Sequence, residues 1–126
     1  MLEKTYQTTF LKWLKHTQNS TAVYELKVAR NGSLPFTAVK EHQRNALLVA
    51  KTGKLAYKIP DDSRGYKPWD CFILVRVPAN VVIFFDKNFY IIDIEDFLKI
   101  EKESVRKSLT EEMLRGLSYP QVVFDL

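Results

Sequence analysis

Hydrophobic and polar residues alternate between positions 22 and 29 at the two-residue period of a β-strand. One face of this strand carries an acid and an amine, Glu25 and Lys27, whereas the opposite face is apolar. The apolar face consists of Tyr24, Leu26 and Val28. A spacing of two residues directs both charged side chains to the same side without strain. The pattern therefore predicts a strand with one face in a core and one charged face.

Apolar residues recur at helical spacing in two long segments. Residues 3–18 predict an amphipathic first helix. A second helix is predicted at residues 38–51, with Thr37 as its N-cap. One polar residue, Gln43, falls inside the apolar stripe of this second helix, and an amide that faces a core needs hydrogen-bond partners.

The second half of the chain predicts strands and two short helices. The helices are expected at residues 95–102 and at residues 109–117, with Ser108 as the cap of the latter. The predicted strands cover residues 55–59, 69–75, 81–85 and 89–94. Because the later strands are apolar on both faces, we expect an α/β (α+β) domain in which helices cover a central sheet.

Composition narrows the class of protein. The 126 residues are 46% hydrophobic and 13% aromatic, which predicts one compact domain, 1–126. The net charge of +4 favours a polyanionic partner. One Cys and two His are too few for a typical structural zinc site, so any metal is expected to be a hard cation held by oxygen. Since no signal peptide opens the chain and no apolar run approaches the roughly 20 residues that span a bilayer, we expect a cytoplasmic protein.

Glu25 and Lys27 are the residue types that phosphate chemistry requires. A carboxylate can hold a divalent cation and an ammonium can stabilise charge on a phosphate, provided that both face one cleft. Glu-x-Lys is a weak signal by itself, since solvated strand faces often carry such pairs. If the second helix packs beside this strand, Gln43 reaches the same cleft and His42 lies towards its edge. The alternative for both residues is an ordinary structural polar group.

A larger set of residues resembles the second half of the PD-(D/E)XK nuclease motif, as it occurs in RecU-type Holliday junction resolvases. The resemblance is strongest over residues 23–60. It implies a restriction-endonuclease-like fold, with a central mixed sheet flanked by helices, and hydrolysis of DNA phosphodiester bonds. The residues that carry it are Glu25, Leu26, Lys27, Phe36, His42, Gln43 and Leu47.

The resemblance also implies a Mg²⁺ or Mn²⁺ ion, but the first metal-binding acid departs from the family pattern. That pattern places an Asp on a strand before the Glu-x-Lys strand, whereas only a helix precedes Glu25 here. Asp70 leads into an apolar strand that we expect beside Glu25 in the central sheet, which suggests a permuted or migrated acid. Asp61 is the second choice, and Glu3 or Gln7 on the first helix is the third.

Each residue then has an expected role. Asp70, Glu25 and the carbonyl of Leu26 hold the metal, Lys27 positions or deprotonates water and offsets charge, and Gln43 orients the water or the scissile phosphate. Basic residues are expected to contact backbone phosphates. These residues are Arg30, Lys40, His42, Lys51, Lys58, Arg64 and Lys67.

The sequence thus predicts a metal-dependent, structure-selective DNA endonuclease, most specifically a Holliday junction resolvase. A homodimer is expected, because a four-way junction needs two incisions and twofold symmetry supplies two sites. A nicking, repair or restriction-like endonuclease on the same fold is one alternative. A non-catalytic DNA-binding protein is another, although a binder has no need of a carboxylate that faces a phosphate unless a metal intervenes.

Overall fold

The computed structural model describes residues 3–58 and 70–123, which form a mixed α/β fold. The helices are α1 (Glu3–Thr17), α2 (Glu41–Thr52), α3 (Ile94–Glu103) and α4 (Glu111–Gly116). The strands are β1 (Val23–Val28), β2 (Ser33–Pro35), β3 (Lys54–Lys58), β4 (Cys71–Val75), β5 (Ala79–Phe85), β6 (Asn88–Asp93), β7 (Ser108–Thr110) and β8 (Val122–Val123). A short 3₁₀ turn, Phe36–Ala38, leads into α2. None of the helices described is both long enough and apolar enough to cross a membrane.

The central sheet is mixed and has the strand order β1-β5-β6-β8. β1 runs parallel to β5, whereas β5 with β6 and β6 with β8 are antiparallel. The register places Glu25 beside Val81 and Lys27 beside Ile83. β1 lies at one edge of this sheet. The edge of β1 that faces away from β5 is not paired with any described strand. The predicted central sheet with flanking helices is confirmed.

Helices cover both faces of β5, of which residues 81–85 are all buried. On one face, Tyr6 and Phe10 of α1 pack against Phe84 and Phe89, with ring centroids 4.8 to 6.1 Å apart. On the other face, α2 and α3 enclose a larger core. That second core includes Leu47, Ala50, Val81, Ile83, Ile92, Ile94 and Phe97. Both faces of the central strands are apolar in the sequence because each face packs against a helix.

The position expected for β4 is wrong. β4 pairs antiparallel with β3 in a separate two-stranded sheet, whereas it was expected in the central sheet beside β1. Leu55 of β3 packs against the main core, but Tyr57, Phe72 and Ile73 of the hairpin are exposed. An exposed apolar strand has the same sequence pattern as a buried one, so the pattern alone could not separate them.

Two predicted helix caps are also wrong, because residues before each helix belong to other structures. α2 begins after Lys40, since Phe36–Ala38 forms a 3₁₀ turn that displaces the start from Thr37. α4 is capped by Thr110, whose hydroxyl accepts from the backbone N–H of Met113 at 3.3 Å. Ser108, the expected cap, lies in β7 and pairs with Pro35 of β2.

Glu111 of α4 is tied to the central sheet through its carboxylate. Oε2 accepts a hydrogen bond from the hydroxyl of the buried Tyr90 at 2.7 Å and another from Asn88 at 3.0 Å. Burial by itself raises the pKa of Glu111, but these hydrogen bonds and the nearby Arg115 outweigh it, so the pKa lies below its ordinary value. The folded state therefore stabilises the charged form of Glu111 relative to its protonated form.

Glu111→Gln should lower the free energy of unfolding at neutral pH by about 1.5–3 kcal/mol, because two donors lose their charged acceptor. The lowered folded-state pKa means that this stabilisation is present above the unfolded pKa and is lost as the pH falls through the folded pKa. Urea unfolding over a descending pH series measures the effect, with the exposed Glu112→Gln as control. A difference between Glu111→Gln and wild type that stays constant down to strongly acid pH would contradict it.

Candidate active site

The charged face of β1 forms as the alternation predicts. Tyr24, Leu26 and Val28 pack against the core beneath α1. Glu25 and Lys27 lie on the opposite face, where Lys27 Nζ is 3.5 Å from Glu25 Oε1. Their side chains retain 31% and 20% of their accessible surface, so both charges are partly sheltered yet reachable. In the described part of the chain, no strand pairs with the outer edge of β1, so the cleft can open at this edge.

A cleft of about 510 Å³ opens at this edge, between α1, β1 and the first turn of α2. Polar side chains from all three elements line it: Gln7, Glu25, Lys27 and Gln43. Its apolar lining consists of Phe10, Leu11, Leu14, Tyr24 and Leu26. The structure therefore brings together three of the four residues expected to be catalytic. Leu26, whose backbone carbonyl was expected to bind the metal, lines the same cleft.

Gln43 has a structural partner on one side of its amide. Its Oε1 accepts a hydrogen bond of 2.8 Å from the backbone N–H of Lys40, which satisfies a free donor at the start of α2. Within the described part of the chain, Nε2 of Gln43 has no hydrogen-bond partner. The cap fixes the orientation of the amide and leaves its NH₂ group as the donor available to the cleft.

Arg44, which the sequence reading did not single out, holds the start of α2 in place. Its guanidinium forms two hydrogen bonds with Glu101 of α3, at 2.5 and 3.0 Å. The same group donates to the backbone carbonyls of Phe36 and Val39. It also lies 5.6 Å from the ring centroid of Phe97. These contacts fix the turn that carries Gln43, and the carboxylate that pairs with Arg44 lies 57 residues away in the chain.

Asp70 does not line the cleft. It is exposed and stands directly before β4, in the hairpin that lies outside the central sheet. The reason for choosing it, a strand next to β1, is therefore wrong, and the permuted arrangement loses its structural basis. Of the other acids considered, Asp61 lies outside the described residues and the side chain of Glu3 is not described. Gln7 is the alternative that reaches the cleft.

The expected DNA-binding residues differ in how free their charges are. Lys51 forms ion pairs with Asp93 at 2.8 Å and Glu95 at 2.7 Å, and its hydrogen bonds to these two acids raise its pKa. Its charge is thus compensated within the protein. Arg64 and Lys67 lie outside the described residues. The remaining candidates are exposed: Arg30, Lys40, His42 and Lys58.

A second cavity, of about 540 Å³, lies between α3 and α4 and is a weaker candidate. Two of its polar side chains are hydrogen-bonded to each other, because the hydroxyl of Tyr119 donates to the carboxylate of Asp96 at 3.1 Å. Burial and this hydrogen bond raise the pKa of Tyr119 to about 12, so the phenol stays neutral at ordinary pH. The cleft at β1 is the better site for phosphate chemistry because its charged groups and amides converge.

The oxygen donors that line the cleft would suit a Mg²⁺ ion bound jointly with a phosphate. Glu25 would offer a carboxylate, and Leu26 and Gln7, which line the same cleft, would offer neutral oxygens. In residues 3–58 and 70–123, no three or more His, Cys, Asp or Glu side chains are grouped so that they could hold a metal ion. Mg²⁺ commonly uses one or two carboxylates and fills its remaining positions with water and substrate phosphate. The described donors fit that mode, and not a preformed all-protein cage.

No protein-family model matches the chain, and neither a curated protein nor a solved structure matches it.

Proposed function

We propose that this protein is a metal-dependent, structure-selective DNA endonuclease of restriction-endonuclease-like fold, most specifically a Holliday junction resolvase. The observation that carries the proposal is the convergence of Glu25, Lys27 and Gln43, from two separate elements, in one cleft. The resemblance of residues 23–60 to RecU-type resolvases supports the same assignment. A nicking, repair or restriction-like endonuclease would use the same site on a different DNA.

The side chains of the cleft match the demands of phosphodiester hydrolysis. Negative charge grows on the phosphoryl oxygens and on the leaving 3′-oxygen, and fixed positive charge nearby stabilises it. Lys27 supplies that charge, and Glu25, 3.5 Å away, keeps the ammonium on the cleft side of β1. Gln43 donates from Nε2 to the attacking water or to a phosphate oxygen, because its Oε1 is already engaged by Lys40.

The proposed metal site rests on Glu25, the Leu26 carbonyl and the amide oxygen of Gln7. A bound Mg²⁺ or Mn²⁺ supplies a Lewis acid beside the phosphate. With one described carboxylate, the site is expected to bind the ion tightly only when DNA contributes a phosphate oxygen. Gln7 thus takes the place in the ligand set that Asp70 was expected to fill.

DNA would approach over the exposed cations near the cleft. Lys40 and His42 adjoin Gln43 at the start of α2, and Arg30 follows β1 after two residues. Lys58 is the last residue of β3, in the β3–β4 hairpin. Contacts of this kind to backbone phosphates give an affinity that weakens as the salt concentration rises and does not depend on the base sequence. A junction-resolving enzyme needs this kind of recognition, together with two copies of the site.

The direct test is cleavage of a four-way DNA junction beside a linear duplex of the same sequences. We expect the junction to be cut in Mg²⁺ or Mn²⁺, the duplex to be cut more slowly, and neither to be cut when EDTA removes the metal. Absence of cleavage of either DNA, with protein in excess and either ion present, would contradict the proposal.

The second candidate is a DNA-binding protein without catalysis. The observation that favours it is that the described residues offer no group of three metal-ligating side chains. This candidate requires that binding be independent of Mg²⁺ and that Glu25→Gln strengthen binding by removing a repulsive charge. The nuclease requires metal-dependent cleavage, so the same two DNA substrates separate the two functions.

Gln43→Ala should slow the chemical step by about 10- to 100-fold, because the amide no longer orients the water or phosphate. This variant also removes the hydrogen bond that the Gln43 side chain accepts from the backbone N–H of Lys40. A second variant is therefore needed to separate the chemical role from the structural one. Gln43→Glu keeps an oxygen that can accept from Lys40 but replaces the NH₂ donor. If the amide acts in the chemistry, single-turnover rates fall for both variants while urea unfolding changes mainly for Gln43→Ala. Normal turnover by Gln43→Glu would show that the residue is only a cap.

A further inference from the structure

The outer edge of β4 has no partner strand in the described part of the protein. β4 pairs with β3 on one side, and no other described strand pairs with it on the other side. Free backbone N–H and C=O groups on a strand edge are a template for another strand. Proteins usually protect such an edge with a charge, a proline or a bulge, yet residues 71–75 read Cys-Phe-Ile-Leu-Val. Among the residues that the structure describes, nothing therefore protects the outer edge of β4.

The side chains of β4 are exposed as well as apolar. Phe72 retains 44% of its accessible surface, Ile73 59% and Val75 45%. Tyr57 of β3 stacks on Phe72 with 5.6 Å between ring centroids and is itself 56% exposed. The hairpin thus presents an apolar surface on which a second strand would find both backbone partners and side-chain contacts.

Charges at the two ends of β4 make the strand complementary to itself. Asp70 directly precedes β4 and Arg76 directly follows it, so the two lie at equal distances from Ile73 in the sequence. Both side chains are exposed, and neither has a hydrogen bond or ion pair within the described residues. When two antiparallel copies of β4 are centred on Ile73, Asp70 of each copy and Arg76 of the other lie at the same end of the strand pair. Arg76 turns out of the extended strand with a φ of 46°, so its long side chain reaches Asp70 from just beyond the strand end.

β3 shows the opposite arrangement and serves as an internal comparison. It begins with Lys54 and ends with Lys58, on either side of Ala56. Two antiparallel copies of β3 centred on Ala56 would set lysine against lysine at both ends, and like charges directly opposite each other destabilise a strand pair. Of the two outer edges of the hairpin, charge therefore selects the edge of β4 for pairing with a second copy.

We infer that two copies of this chain associate through antiparallel pairing of their β4 strands, with the twofold axis at Ile73. The pairing joins two hairpins into one four-stranded sheet and places Ile73 of one copy beside Ile73 of the other, and Phe72 of each beside Leu74 of the other. It also gives a role to Asp70, which does not line the cleft. The inference rests on the strand edge alone and stands whether or not the cleft at β1 cleaves DNA.

A disulfide placed on the axis tests the register. In a background of Cys71→Ser, Ile73→Cys brings two thiols opposite each other across the axis, with Cα atoms about 4.5–5.5 Å apart. This spacing lies in the range that disulfides span. A mild thiol oxidant should convert this variant to a covalent dimer much faster than Val105→Cys in the same background, since Val105 is fully exposed and lies far from β4 in the sequence. Equal rates for the two variants would overturn the proposed axis.

The charges provide a test without cysteine. Wild type should sediment at twice the 14.7 kDa mass of one chain. Asp70→Arg or Arg76→Asp should each weaken the dimer about tenfold by placing like charges at the same end of the strand pair. The double variant Asp70→Arg with Arg76→Asp should restore the dimer, because the charges are exchanged and complementary again. A monomeric wild type, or single variants that dimerise normally, would overturn the inference.

Discussion

Lys27→Ala should lower the single-turnover rate of junction cleavage at saturating Mg²⁺ by about 100- to 1,000-fold. The ammonium of Lys27 is the cation among the described residues that line the cleft, 3.5 Å from Glu25, and the proposed reaction would place the phosphate beside it. Its partial exposure means that removing it leaves no large cavity, so the fold should persist. Circular dichroism and urea unfolding verify the fold, and gel-based cleavage of the junction measures the rate.

Lys87→Ala is the matched control, since Lys87 is an exposed lysine in the turn between β5 and β6. It removes the same charge from the protein without touching the cleft, so any fall in its cleavage rate reports net charge alone. Glu25→Gln should also lose cleavage, with Glu112→Gln as its control. Near wild-type cleavage by Lys27→Ala or by Glu25→Gln would remove β1 from the chemistry.

The charged face of β1 could be predicted because strand alternation depends only on local sequence. Glu25 and Lys27 lie opposite Tyr24 and Leu26 as expected, and α1 covers the apolar side. The position of Gln43 could be predicted for a related reason, since a polar side chain inside an apolar helical stripe needs hydrogen-bond partners where the helix packs. Both successes come from periodicity, which does not require knowledge of distant residues.

The position of β4 could not be predicted, since an apolar pentapeptide does not encode what covers it. Cys71–Val75 reads as a buried strand, yet it lies on an open hairpin. The role expected for Asp70 depended on that placement and lost its basis with it. Arg44 was missed for the same physical reason, because its carboxylate partner Glu101 is remote in the sequence. Long-range pairing decided each of these features.

Helix α1 is where stability and the cleft depend on the same side chains. Phe10 lines the cleft beside Gln7 and, together with Tyr6, also anchors the helix to the sheet. The helix makes its described core contacts largely through aromatic rings. A substitution that loosens these rings should therefore displace a wall of the cleft as well as lower the stability of the fold.

Phe10→Ala should reduce the free energy of unfolding by about 3–5 kcal/mol, because it deletes a buried ring from a packed cluster. Phe10 is 1% exposed and its ring lies 5.2 Å from Tyr24, 5.4 Å from Phe89 and 6.1 Å from Phe84 between centroids. Leu11→Ala is the matched control, since Leu11 is the next residue of α1 but is 55% exposed, and it should cost about 0.5 kcal/mol or less. Urea unfolding followed by circular dichroism compares the two. Equal losses for both variants would mean that α1 is not held by the aromatic cluster, and the wall of the cleft would then need another anchor.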